Sequence, residues 1–262
     1  MLLLAVILSY AKTILAQEQP GAGEGYEREE LGVNRYTAPS IEGVFEQLDK
    51  LKPLPFEKVW REFPSASPAR REQKGMIFGG LIADGFLIVE AEKQNRVDEL
   101  GRILIREARG LGVADRVMRH SASLTELGRK NDWLAVRREL IATQADVERA
   151  LVGLRDQKMA HLISLGGWLR GLEISAAAVD AEFSPGRARV LVQPDLVDYF
   201  AEEVTTLPPA MAHAAVFEKL RTGIEVIRSA LGKAGRADLR PAEVQTILVQ
   251  ARELNLAIRK AD

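Results

Sequence analysis

The chain has no cysteine. That single absence removes disulfides, thiolate zinc sites, iron–sulfur ligation and a cysteine nucleophile together. Stability must therefore come from packing. Histidine is scarce: His120, His161 and His213 are the full set. None follows a glutamate by three positions, so the carboxylate-bundle Glu-x-x-His pattern is missing. There is no His-Glu-x-x-His pair and no Cys-x-x-Cys-His for covalent haem. No Gly-x-x-x-x-Gly-Lys-Ser/Thr loop and no Gly-x-Ser-x-Gly elbow occurs. A surplus of either charge is lacking too, with a formal net charge of −1. Nucleic-acid binding would need a basic surplus on one face, so it is set aside as a partner class.

What is present is an ordinary globular composition, 47 % apolar and 28 % charged over 262 residues, enough for a real core. Leu2 to Leu8 is an apolar run, followed by small-x-small options at Ser9-Tyr10-Ala11 and Ile14-Leu15-Ala16. The run is shorter than the roughly 20 apolar residues a bilayer span needs, so residues 1–16 read as a signal peptide and the chain as periplasmic or secreted. Residues 17–39 hold Pro20, Gly21, Gly23, Gly25, Gly32 and Pro39 with acidic Glu24, Glu27, Glu29 and Glu30. Such composition cannot repay the entropy of ordering and reads as a tether.

From residue 40 onward the pattern is helical. Residues 40–67 carry Pro53, Pro55 and Pro64, which forbid a long helix and predict a lid of short turns. Residues 68–262 predict a bundle. Pro68 and Pro241 are placed to start helices, Asn131 or Asp132 to cap one, and Pro185-Gly186 to end one. No convincing alternating strand is found. The expectation is an all-α, antiparallel bundle of about eight helices with short loops.

Two segments break the rule that helices avoid glycine. One is Ile77-Phe78-Gly79-Gly80-Leu81-Ile82-Ala83-Asp84-Gly85; the other is Ser164-Leu165-Gly166-Gly167-Trp168-Leu169-Arg170-Gly171. An interior glycine costs about 1 kcal/mol against alanine, so something must offset it. On a helical wheel Ser164, Gly167, Gly171 and Ser175 share one strip, which would let a neighbouring backbone approach closely, with Gly79 and Gly80 as its counterpart. A shift of 87 positions carries Gly79-Gly80 onto Gly166-Gly167, and Arg102-Ile103-Leu104-Ile105 onto Arg189-Val190-Leu191-Val192. An internally duplicated helical hairpin and chance similarity both account for this.

Arg170 and Glu173 fall on a polar arc of the second segment and read as a wet edge. Asp84 falls inside the apolar arc of the first. A carboxylate aimed into a helix seam must be paired, hydrogen-bonded or protonated, so a hydroxyl or an arginine from a neighbouring helix is expected beside it. The binding candidates are thus Asp84, Trp168 and Arg170. No catalytic residue, metal ligand or cofactor is expected. The sequence predicts an exported helical protein that acts as a non-enzymatic scaffold, binding module or accessory factor. The partner is unidentified, with another protein the favoured class. The alternative is a small-ligand, haem or metal binder with a pocket between the glycine helices, lined by Asp84 and Trp168.

Overall fold

A computed structural model describes residues 41–212, 214–234 and 238–260. The signal-peptide and tether segments, 1–16 and 17–39, and His213 lie outside the described residues. The described elements are α-helices and one 3-10 turn, so the chain is an all-α, multi-helix bundle. In chain order the helices are α1 (Ile41–Asp49), the short α2 (Phe56–Val59), α3 (Arg71–Glu90), α4 (Gln94–Leu111), α5 (Ala114–Arg129), α6 (Trp133–Gly153) and α7 (Gln157–Ala181). Then come the short α8 (Pro185–Ala188), running into the 3-10 turn Arg189–Leu191, and α9 (Pro194–Thr205). The short α10 (Pro209–Ala212), α11 (Ala215–Ala234) and α12 (Pro241–Arg259) complete the set.

Local chemistry fixes these boundaries. Gly112 takes φ +78° at the end of α4, and its N–H closes the last turn on the Ala108 and Arg109 carbonyls. Asp132 caps α6 by accepting from the Ala135 N–H at 3.1 Å. Pro194 and Pro241 sit in the first turns of α9 and α12, where a missing N–H costs nothing. Residues 102–105 lie within α4 while Arg189–Leu191 form the 3-10 turn, so that part of the 87-residue correspondence does not extend to local structure.

α7 is the centre. It packs against α3, α12, α1 and α6; α3 in turn carries α4 and α6, α5 bridges α4 and α6, and α11 joins α12 to α9. Every residue of α7 from Met159 to Val179 is buried, and so is every residue of α3 from Gly75 to Val89. A helix apolar on all sides belongs inside a large core or a membrane. By length and composition α7 is apolar enough to cross a membrane, and its neighbours cover it from Met159 to Val179.

The glycines explain how two such helices fit together. A Cβ added to Gly79 would lie 1.9 Å from the Ile163 carbonyl oxygen, and one added to Gly166 would lie 1.9 Å from that of Met76. The two contacts exchange under the 87-residue shift, so the crossing is reciprocal. The closest approach thus uses Gly166, and not the strip of Gly167 and Gly171. That strip opens α7 to α1: added Cβ atoms would meet Ile41 Cδ1 at 2.8 Å and Val44 Cγ1 at 2.2 Å. Gly80 makes only ordinary contact, 3.7 Å to Gly166 O. Ser175 is buried, and Ser164 bonds across to α6.

Backbone cannot move aside as a flexible side chain can, so alanine at the crossing must separate the helices. Gly79→Ala and Gly166→Ala are each expected to cost about 3 kcal/mol or more in urea unfolding. Gly43→Ala, at an α1 site with nothing within 4 Å, should instead gain up to about 1 kcal/mol. Equal small effects at all three positions would show that the crossing is looser than described.

Candidate functional site

Close contact of α3 with α7 brings Asp84 and Arg170 together, just beyond the glycine pairs. Arg170 Nε donates to Asp84 Oδ1 at 2.6 Å, and one Nη donates to the Val59 carbonyl at 2.6 Å. The other Nη stands 2.8 Å from Glu173 Oε2. Arg170 is 0 % exposed, Asp84 3 % and Glu173 5 %. A second arginine enters from the Pro-rich segment, with Arg61 Nε 3.5 Å from Asp84 Oδ2 and an Nη 3.7 Å from Glu173 Oε2. Arg252 of α12 approaches Glu173 Oε1 at 3.5 Å.

The wet-edge reading of Arg170 and Glu173 is therefore corrected. A wheel ranks arcs by polarity, but α7 is enclosed on every side and has no wet arc over this stretch. Its charges neutralise one another within the core. Burial alone would raise the Asp84 carboxyl, yet the charges of Arg170 and Arg61 outweigh burial and hold it below the usual carboxylate range. Arg170 shows the mirror image: burial disfavours its charge, and Asp84 and Glu173 more than restore it.

Trp168 is not part of this network. It stacks on Phe200 of α9, with ring centroids 4.8 Å apart and planes at 26°. Asp84 and Trp168 thus serve different contacts of α7.

A second polar row joins α6, α7 and α9. Glu148 Oε1 accepts from Gln144 Nε2 at 2.8 Å and from Ser164 Oγ at 3.0 Å. Burial pushes the Glu148 carboxyl up to about 7, with these two bonds pulling the other way. Next along the row, His161 Nδ1 and the Tyr199 hydroxyl share a hydrogen bond, and Lys158 Nζ reaches Glu203 Oε2 at 3.1 Å. Burial lowers the His161 pKa against the pull of Glu203, and burial raises that of Tyr199. The sequence reading missed Glu148 and Tyr199. A signal for this row existed in Gln144, which interrupts the α6 seam of Leu140, Val147 and Leu151.

His120 forms a separate clasp, with Nδ1 2.7 Å from Glu139 Oε1 and Nε2 2.9 Å from Asp146 Oδ2. The ring thus bridges two carboxyl groups of α6 and pins α5 to α6. Among the described residues no group of three or more His, Asp or Glu side chains is placed to hold a metal ion. An open groove of about 640 Å³ runs between α11 and α12, past Gly223, Leu254 and Leu256. No protein-family model, curated protein or solved structure matches the chain.

Two outcomes are expected in equilibrium unfolding. Arg170→Met strands two buried carboxylates and should cost about 3–5 kcal/mol. Adding Asp84→Leu should recover part of that loss, giving a coupling energy above about 1 kcal/mol; strict additivity would mean the pair does not act as a unit. Glu148 gives a pH signature. Its folded pKa lies above its unfolded value, so its contribution is complete below pH 4.5 and is lost as pH rises through about 7. Glu148→Gln should therefore stabilise the protein by about 1–3 kcal/mol at pH 8.5 relative to pH 5. Parallel pH profiles for the two proteins would contradict this.

Proposed function

We propose that the chain is an exported, non-enzymatic helical scaffold or binding module. The observation that carries this reading is the Asp84–Arg170–Glu173 network. The charged groups that the glycine helices bring together pair with one another, and Arg170 also donates to the Val59 carbonyl. They are spent on joining α3, α7 and the Pro-rich segment. A ligand site would instead be expected to present convergent polar groups to a concave, accessible pocket. Ser164 and His161 follow the same logic. Ser164 donates to Glu148 and His161 is bonded to Tyr199, so this hydroxyl and this imidazole act as ties between helices.

Export is supported by the apolar run Leu2 to Leu8 and the small residues that follow it. In a cysteine-free exported chain, fully packed buried helices supply the stability that disulfides supply elsewhere.

Two measurements test the reading. Intact-mass analysis of protein recovered from periplasm or medium should find a chain beginning at Lys12 or Gln17; a chain still carrying residues 1–16 in the cytoplasm would overturn export. A thermal-shift screen at constant chloride against haem, divalent metals and common metabolites should find no saturable rise in Tm. A metabolite or haem that stabilises the protein saturably would replace the scaffold reading with a ligand-binding one.

A further inference from the structure

Beside the ion network lies a small cavity between the Pro-rich segment, α3 and the end of α12. Arg61, Asp84 and Arg259 line it, together with apolar Pro64, Met76 and Ile258. The centre of a water-sized sphere can move there within about 10 Å³, which is room for one water or one monoatomic ion and for no metabolite.

The charges around it do not balance. Three guanidinium groups, Arg170, Arg61 and Arg259, act on Asp84. The facing carboxylates are Asp84 and Glu173, so three positive charges meet two negative ones. Glu62, nearby in sequence, is committed to Arg96 at 2.9 and 3.0 Å. Arg252 adds a further positive charge at the rim. Arg61 Nε is buried and has no hydrogen-bond partner, and Asp84 Oδ2 stands off at 3.5 Å. Burial, reinforced by the like charges of Arg170 and Arg259, pulls the Arg61 guanidinium down to about 10. A buried N–H without an acceptor is costly.

We infer that this cavity binds one small monoatomic anion of the chloride class, held between Arg61 and Arg259. Such an ion accepts the Arg61 Nε–H and offsets the excess positive charge. It also clasps the Pro-rich segment to the last helix, where Arg259 already donates to the Glu62 carbonyl. Asp84 in the wall does not forbid it, because Oδ1 takes the Arg170 N–H and Oδ2 faces Arg61. Polyatomic anions such as sulfate exceed the available room. Water is the competing occupant; it would accept the N–H but leave the charge unbalanced.

Bromide separates the two. Crystals of the full chain soaked in sodium bromide should give an anomalous difference peak beside Arg61 Nε. In solution, replacing gluconate by chloride at constant ionic strength should raise Tm saturably, by about 3–6 °C at ten times the dissociation constant. That rise should be lost in Arg61→Gln and in Arg259→Gln. Water density at the site without a bromide peak would overturn the proposal, as would a chloride response of equal size in both variants. The bromide experiment uses the unaltered protein, so it decides even if a variant folds poorly.

Discussion

The structure depends on backbone-to-backbone contact between α3 and α7. Two helices buried on all sides cannot share one core at ordinary side-chain spacing without swelling it. Glycine at positions 79 and 166 removes the side chains that would hold them apart, and each backbone then rests on a carbonyl of the other. The conformational cost of two interior glycines is about 2 kcal/mol. Burial of the surrounding Phe78, Ile82, Phe86, Ile163 and Leu169 offsets it, since each fully buried large apolar side chain contributes about 1.5–3 kcal/mol.

That proximity creates the electrostatic problem and also its solution. Asp84 and Arg170 would each be prohibitive alone in such a core. Brought within 2.6 Å, and joined by Glu173 and Arg61, they become a network that a misaligned crossing could not satisfy. A shifted register of α3 on α7 would leave buried charges unpaired. The network is better understood as fixing that register than as adding net stability, because the desolvation of buried ion pairs consumes most of their attraction. The Glu148–Ser164 and His161–Tyr199 contacts set α6 and α9 against α7 in a similar way, with neutral or weakly charged partners.

The all-α class, the helix start at Pro241 and a cap at Asn131 or Asp132 were legible, because capping chemistry acts within a few residues. The glycine pairs were legible as an anomaly in need of a reason, and Asp84 as a charge in need of a partner. The partner was not. Arg170 was assigned to water because a helical wheel ranks arcs by polarity and cannot register that a helix is enclosed by four neighbours. Trp168 and Asp84 sit on the two glycine helices but do not meet: residues 168 and 170 lie about 200° apart around a helix, so Arg170 reaches Asp84 while Trp168 stacks on Phe200. Glu148 was missed because its burial depends on where α7 and α9 lie, which no pattern within α6 encodes. The Pro-rich segment was expected as a lid, but that its Arg61 would complete the core network could not be read from local composition.

Native-state hydrogen exchange tests the central role of the α3–α7 crossing most directly. If the crossing is the constraint on which the rest depends, amides of residues 76–89 and 160–178 should exchange only through global unfolding. Those of α5 and the α11–α12 pair should open at lower free energy. Amides around Gly79 and Gly166 that exchange through local opening, faster than those of α11 and α12, would contradict the account.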